Sequence, residues 1–125
     1  MSWRQGLHAT AAAIALAATI STAAVAQGPG RYWVNGTNAK EKASYRGTIT
    51  LSKTGTMTWQ IVEVTGNDTV EGFGIGDGKT IAATFVARDG STAVALYVAN
   101  ADGSYTGIWA SDGDQDVSTE TLKPE

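Results

Sequence analysis

The chain's clearest signal is a two-residue alternation of apolar and polar positions. Tyr45, Gly47, Ile49 and Leu51 alternate with Ser44, Arg46, Thr48, Thr50 and Ser52, the period expected of a half-buried β-strand. Met57, Trp59 and Ile61 alternate with Thr58 and Gln60, and Tyr105, Gly107 and Trp109 with Ser104 and Thr106. Ile81, Ala83, Phe85 and Ala87 share one face of another segment. Ala93 to Ala99 is apolar on both faces, Val94, Leu96 and Val98 lying opposite Ala95 and Tyr97. Such a strand is expected to be covered on both sides, as a barrel wall or at a subunit interface. Turn signals separate these runs at Thr54-Gly55, Gly66-Asn67, Asp77-Gly78, Asp89-Gly90, Asp102-Gly103 and Asp112-Gly113. Gly and Asn tolerate the positive φ of tight hairpins, and the intervals of roughly 10 to 13 residues fit one strand each.

The pattern predicts about eight strands, near 31–36, 44–52, 56–64, 69–76, 79–88, 91–100, 104–110 and 117–122. No segment beyond the N-terminal stretch shows a helical period; Asn38 to Ala43 holds one turn at most. Short loops favour antiparallel neighbours and hence a meander. A meander of this length avoids exposed edges by closing on itself. The expected fold is therefore all-β: a small up-and-down antiparallel barrel, with a two-sheet β-sandwich as the alternative. In Tyr45/Gly47, Val70/Gly72 and Tyr105/Gly107 an aromatic or β-branched residue precedes Gly by two positions. Glycine in a barrel strand marks a bend whose gap a neighbouring ring can fill.

The first residues follow a different pattern. Arg4 supplies a positive start, Ala9 to Ala26 is uncharged and rich in Ala, Ile and Leu, and Ala24-Val25-Ala26 has the A-x-A form of a cleavage site. Residues 1–26 thus read as an export signal, leaving a single domain over 27–125 in the periplasm or outside the cell. The alternative is a retained membrane helix, which the interspersed Thr10, Thr19, Ser21 and Thr22 weaken. With no Cys there is no lipobox, no disulfide and no thiolate chemistry. The net charge of −3 becomes one unit more negative without Arg4. Such a domain has no basic footprint for nucleic acid and no polybasic cluster for an anionic membrane.

The only His, His8, falls within the expected signal. Its loss excludes Ser-His-Asp and Cys-His catalysis and the usual zinc ligand sets. Glu63, Asp68 and Glu71 cluster around the Gly66-Asn67 turn and read as a solvated loop. Asp112-Gly113-Asp114-Gln115-Asp116 resembles the first half of a calcium loop through Asp112, Asp114 and Asp116. Val117 and Lys123 stand where that loop needs Gly and Glu, so an acidic hairpin is the plainer reading. Gly72, Gly74, Gly76 and Gly78 lead into strand-like residues, and so read as a kinked strand, not a phosphate loop. Asn35-Gly36-Thr37 and Asn67-Asp68-Thr69 match a glycosylation acceptor and read as ordinary turns.

Aromatic residues remain. Tyr45, Trp59, Phe85, Tyr97 and Trp109 all fall on odd positions of their strands, so they are the candidate lining of a ligand cavity. Tyr32, Trp33, Phe73 and Tyr105 complete the set. Aromatics in a small β protein usually form its core, and an interior of this girth is either filled by side chains or holds one small ligand. Both readings stand at this point.

The motifs Gly30-Arg31-Tyr32-Trp33-Val34-Asn35-Gly36-Thr37-Asn38, Tyr45-Arg46-Gly47-Thr48-Ile49-Thr50-Leu51, Thr58-Trp59-Gln60-Ile61, Val94-Ala95-Leu96-Tyr97, Asp102 to Trp109 and Thr119-Glu120-Thr121-Leu122 follow in order. In this series the chain resembles a family of small exported bacterial β proteins often labelled "fibronectin-binding protein" or left uncharacterised. It departs from the family after Asn38, where Ala39-Lys40-Glu41-Lys42 replaces a Pro-Asp-Gly-type turn. The resemblance implies binding to a host matrix protein and transfers no site residue. With no catalytic set, the expected function is an exported, non-catalytic binding or interaction protein. The alternatives are a lipocalin-like carrier of a small apolar ligand, and a secreted protease inhibitor presenting Gln27 to Gly30 as an arm.

Overall fold

The structure, a computed structural model, describes residues 28–125. The expected export signal lies outside the described residues. The eight strands are β1 (Gly30–Asn38), β2 (Ala43–Lys53), β3 (Thr58–Thr65), β4 (Asp68–Gly76), β5 (Thr80–Val86), β6 (Thr92–Ala99), β7 (Tyr105–Ser111) and β8 (Ser118–Pro124). Each pairs antiparallel with the next, and β8 returns to β1, so the meander closes as a barrel and not as a sandwich. Closure leaves no strand edge to be covered.

Alternation decides what lies inside. Tyr32 and Val34 of β1, Ile49 and Leu51 of β2, Trp59 and Ile61 of β3, Ile81, Ala83 and Phe85 of β5, Ala95 and Tyr97 of β6, Tyr105 of β7 and Leu122 of β8 form one buried core. Fully burying one such side chain contributes about 1.5–3 kcal/mol. Three inner-face glycines lie beneath an aromatic ring of the adjacent strand: Gly36 beneath Tyr45, Gly72 beneath Phe85, and Gly107 beneath Tyr97. A Cβ at Gly36 would stand 2.2 Å from the Tyr45 ring, and one at Gly72 2.6 Å from that of Phe85. The rings that cover the glycines come from the adjacent strand, not from the residue two positions earlier.

The loops divide the barrel into two unlike ends. At one, Trp59 Nε1 donates to the Gly76 carbonyl at 2.9 Å, and the Tyr105 hydroxyl donates to that of Gly78. Gly28 is buried there, its N–H bonded to the Tyr105 hydroxyl at 3.1 Å and its carbonyl accepting from Tyr32 at 2.7 Å. Tyr32 and Tyr105 meet edge to face, 5.6 Å apart. Gly28 is thus part of a plug and not of the free arm that the inhibitor reading needs; Gln27 lies outside the described residues.

At the other end the β1–β2 connection is a single turn. Lys42 N–H bonds the Asn38 carbonyl at 2.7 Å, while Asn38 Oδ1 accepts from the N–H groups of Lys40 and Glu41. Lys42, at φ 56°, is the sole positive-φ residue other than glycine among the described residues. Asn35 lies within β1 and not in a turn.

The strand expected to be covered on both faces is covered on one. Ala95 and Tyr97 are buried, whereas Val94 is 59% exposed and Leu96 and Val98 also face outward. Register places Val94 beside Thr84 and Ala110, and Leu96 beside Ala82 and Ile108. With Phe73 and Ile75 on β4, these residues make the outer face of β4–β7 apolar.

Candidate functional site

The open end holds a cavity of about 440 Å³. Its walls are Tyr45, Val70, Phe85, Tyr97 and Trp109, and its rim includes Asn38, Glu41, Asp68, Ser91 and Ser111. Four of the five candidate aromatics therefore line the cavity. The fifth, Trp59, lies in the plug at the opposite end and is fully buried. Matching parity put it on the inner face, but parity does not fix height along the barrel axis, which the strand register sets.

Two carboxyl groups form the polar part of this cavity. Glu120, only 4% exposed, accepts hydrogen bonds from Tyr45 OH at 2.6 Å and from Tyr97 OH at 2.8 Å. Glu63 is hydrogen-bonded to Glu120 as well. Trp109 Nε1 in turn donates to the Tyr45 hydroxyl at 2.7 Å, and the two rings meet edge to face at 6.3 Å. The chain of donors Trp109, Tyr45, Glu120 thus fixes the aromatic wall and the carboxylate together.

Burial disfavours charge on both acids, and each repels the other. Desolvation, then the Glu120 charge and the bond to it, push the Glu63 carboxyl up to about 8. Desolvation also raises Glu120, but the Tyr45 and Tyr97 hydroxyls and the Glu63 proton act against it. The pair therefore titrates as a unit and shares one proton. Burial first, then the Glu120 charge, drive the Tyr45 and Tyr97 phenols far above their usual range, so both remain donors.

Sequence reasoning placed Glu63 with Asp68 and Glu71 in a solvated loop, and the structure corrects this. Asp68 and Glu71 are exposed, but Glu63 continues the inward phase of Trp59 and Ile61. Its strand phase was the signal, and its nearness to a turn concealed it. Glu120 carries the same signal of phase, lying between the inward Ser118 and Leu122.

The acidic hairpin after β7 is not a preformed cation site. Asp114 Oδ2 accepts from the Ser111 N–H at 2.9 Å, which engages that carboxylate in closing its own loop. Among the described residues, no three His, Cys, Asp or Glu side chains come together in a manner suited to a metal ion. Asp112, Asp114 and Asp116 are no exception.

No protein-family model matches the chain, and no curated relative does. Solved structures do match its fold. One is a redesigned β-barrel, mFAP1, bound to DFHBI, with TM-score 0.65 and 18% identity over 81% of this chain and 97% of that one. Another is a de novo designed fluorescence-activating β-barrel, with TM-score 0.55 and 16% identity over the same shares. At these identities the likeness establishes the barrel alone.

Proposed function

We propose that the chain is an exported, non-catalytic carrier that holds one small, largely apolar ligand in the open end of its barrel. The cavity carries this reading. Its volume lies within the range of about 300–1,000 Å³ typical of ligand sites, and it joins aromatic walls to a few convergent polar groups. The similarity to designed barrels, one of them bound to DFHBI, supports the reading at the level of architecture. A panel of small aromatic probes, followed by tryptophan fluorescence, tests it. Saturable one-to-one binding is expected, abolished by Ala93→Phe, which places a ring in the cavity. Failure of every probe to bind more tightly than about 1 mM would contradict it. Hydrolytic turnover of a probe would contradict the non-catalytic part, and an N-terminus of the exported protein other than one near Gln27 would contradict the signal assignment.

A protein partner, such as the host matrix protein implied by the family resemblance, is the second reading. The outer face of β4–β7 favours it, since Phe73 is 58% exposed there beside other apolar side chains. Capture of fibronectin by the wild type but not by Val94→Asp would select this reading.

A further inference from the structure

We propose that the ligand of the open end is an organic cation: a flat apolar body carrying an ammonium group that sits on the Glu63–Glu120 pair. The inference rests on the reading that this cavity binds a small molecule.

The charge of the lining carries it. Glu41, Glu63, Asp68 and Glu120 contribute to the cavity, and no Lys, Arg or His does so among the described residues. Lys40, Lys42 and Arg88 are exposed in the loops of the same end and stand outside that lining. Glu63 has no hydrogen-bond or ion-pair partner among the described residues besides Glu120. A largely buried carboxyl pair without a basic partner is stabilised by keeping a proton or receiving a cation, because an uncompensated buried charge is costly. In the empty barrel the shared proton fills that role. A ligand ammonium offers the same compensation with more hydrogen bonds, and it would displace the proton to solvent.

The walls point the same way. Tyr45, Phe85, Tyr97 and Trp109 line the same cavity as the carboxyl pair, and aromatic rings favour organic ammonium groups over other ions. A calcium ion needs six to eight oxygen ligands, which two carboxyls in an aromatic surround do not supply. An anionic ligand would meet only like charge.

Proton exchange follows from the groups facing the pair. They are Tyr45 from β2, Tyr97 from β6, and the two acids themselves from β3 and β8. Asp68 of β4 and Glu41 of the β1–β2 turn lie at the rim. Phe85 and Trp109, from β5 and β7, bring no charge, and neither do Gly36 and Asn38 of β1.

The test uses three isosteres with the full chain near neutral pH: 2-naphthylmethylamine, 2-naphthylmethanol and 2-naphthoate. Calorimetry in two buffers of different ionisation heat reads affinity and proton release together. The amine is expected to bind about tenfold more tightly than the alcohol, and the carboxylate more weakly than either. Amine binding should release a fraction of one proton, and that release should diminish as the pH rises toward 8, where the pair itself loses it. Glu63→Gln retains a donor to Glu120 and so should fold. It keeps the Glu120 charge but has no shared proton to give up, so amine binding should release none; the further change Glu120→Gln should bring the amine down to the alcohol's affinity. Equal or tighter binding of the alcohol or the carboxylate would overturn the cation assignment and leave the carrier reading intact. An amine preference that survives the loss of both carboxyls, or undiminished proton release in Glu63→Gln, would remove the carboxyl pair from it. Binding of none of the three would overturn the carrier reading and the inference with it.

Discussion

At Glu63, strand phase and side-chain chemistry pull in opposite directions, and phase wins. The alternation of β3 leaves no outward position for residue 63, so a carboxyl enters the barrel and keeps its proton. A buried acid whose folded pKa exceeds its unfolded value binds a proton more tightly when folded. Its contribution is therefore fully present below the ordinary carboxyl value of 4.5 and is lost as pH rises through about 8. Thermal unfolding should show the melting temperature falling across that window. Glu63→Gln should flatten the decline; a profile equally steep in that variant would place its cause elsewhere. The partner acid depends on its donors. Tyr45→Phe removes one hydrogen bond to Glu120 and leaves Trp109 Nε1 without its acceptor. A loss of about 1.5–3 kcal/mol in denaturant unfolding is expected, the range for a hydrogen bond to a charged group.

Among the elements, the glycine–aromatic pairs hold the strands at the spacing the cavity needs. A Cβ at Gly107 would lie 2.7 Å from the Tyr97 ring and 3.3 Å from Glu120 Cγ. Gly107→Ala should therefore displace Tyr97 and cost about 1–3 kcal/mol, as overpacking does. It should also weaken probe binding, because Tyr97 is both wall and hydrogen-bond donor. An alanine variant with unchanged stability would show that the ring is free to move. These elements also show what could be read from the chain. Two-residue alternation and Asp-Gly turns identified every strand, and closure followed from the lack of any other cover for the edges. Cross-strand neighbours were not legible, because register depends on loop lengths and inward volume acting together. Thus the glycine pairs were sought along the strand, Trp59 was grouped with aromatics of the opposite end, and Glu63 was assigned to its turn.

For the whole molecule, the barrel has one sealed end and one open end. Trp59, Tyr32, Tyr105 and Gly28 fill the first with rings and backbone hydrogen bonds, while the second keeps its aromatics at the wall and its polar groups inside. The absence of Cys leaves this division to packing and hydrogen bonds alone. The outer surface is divided as well. β4–β7 expose apolar side chains, whereas β1, β2 and β8, Trp33 apart, present Asn35, Arg46, Thr48, Thr119 and Lys123 outward. The most direct test of the central claim is amide chemical-shift mapping during titration with 2-naphthylmethylamine. The expected result is a saturable set of shifts confined to the open end, at Asn38, Glu63, Tyr97, Trp109 and Glu120, with Trp59 and Tyr105 unmoved. Shifts centred on Phe73, Val94 and Leu96, or none at all, would contradict the assignment of the open end as the binding site.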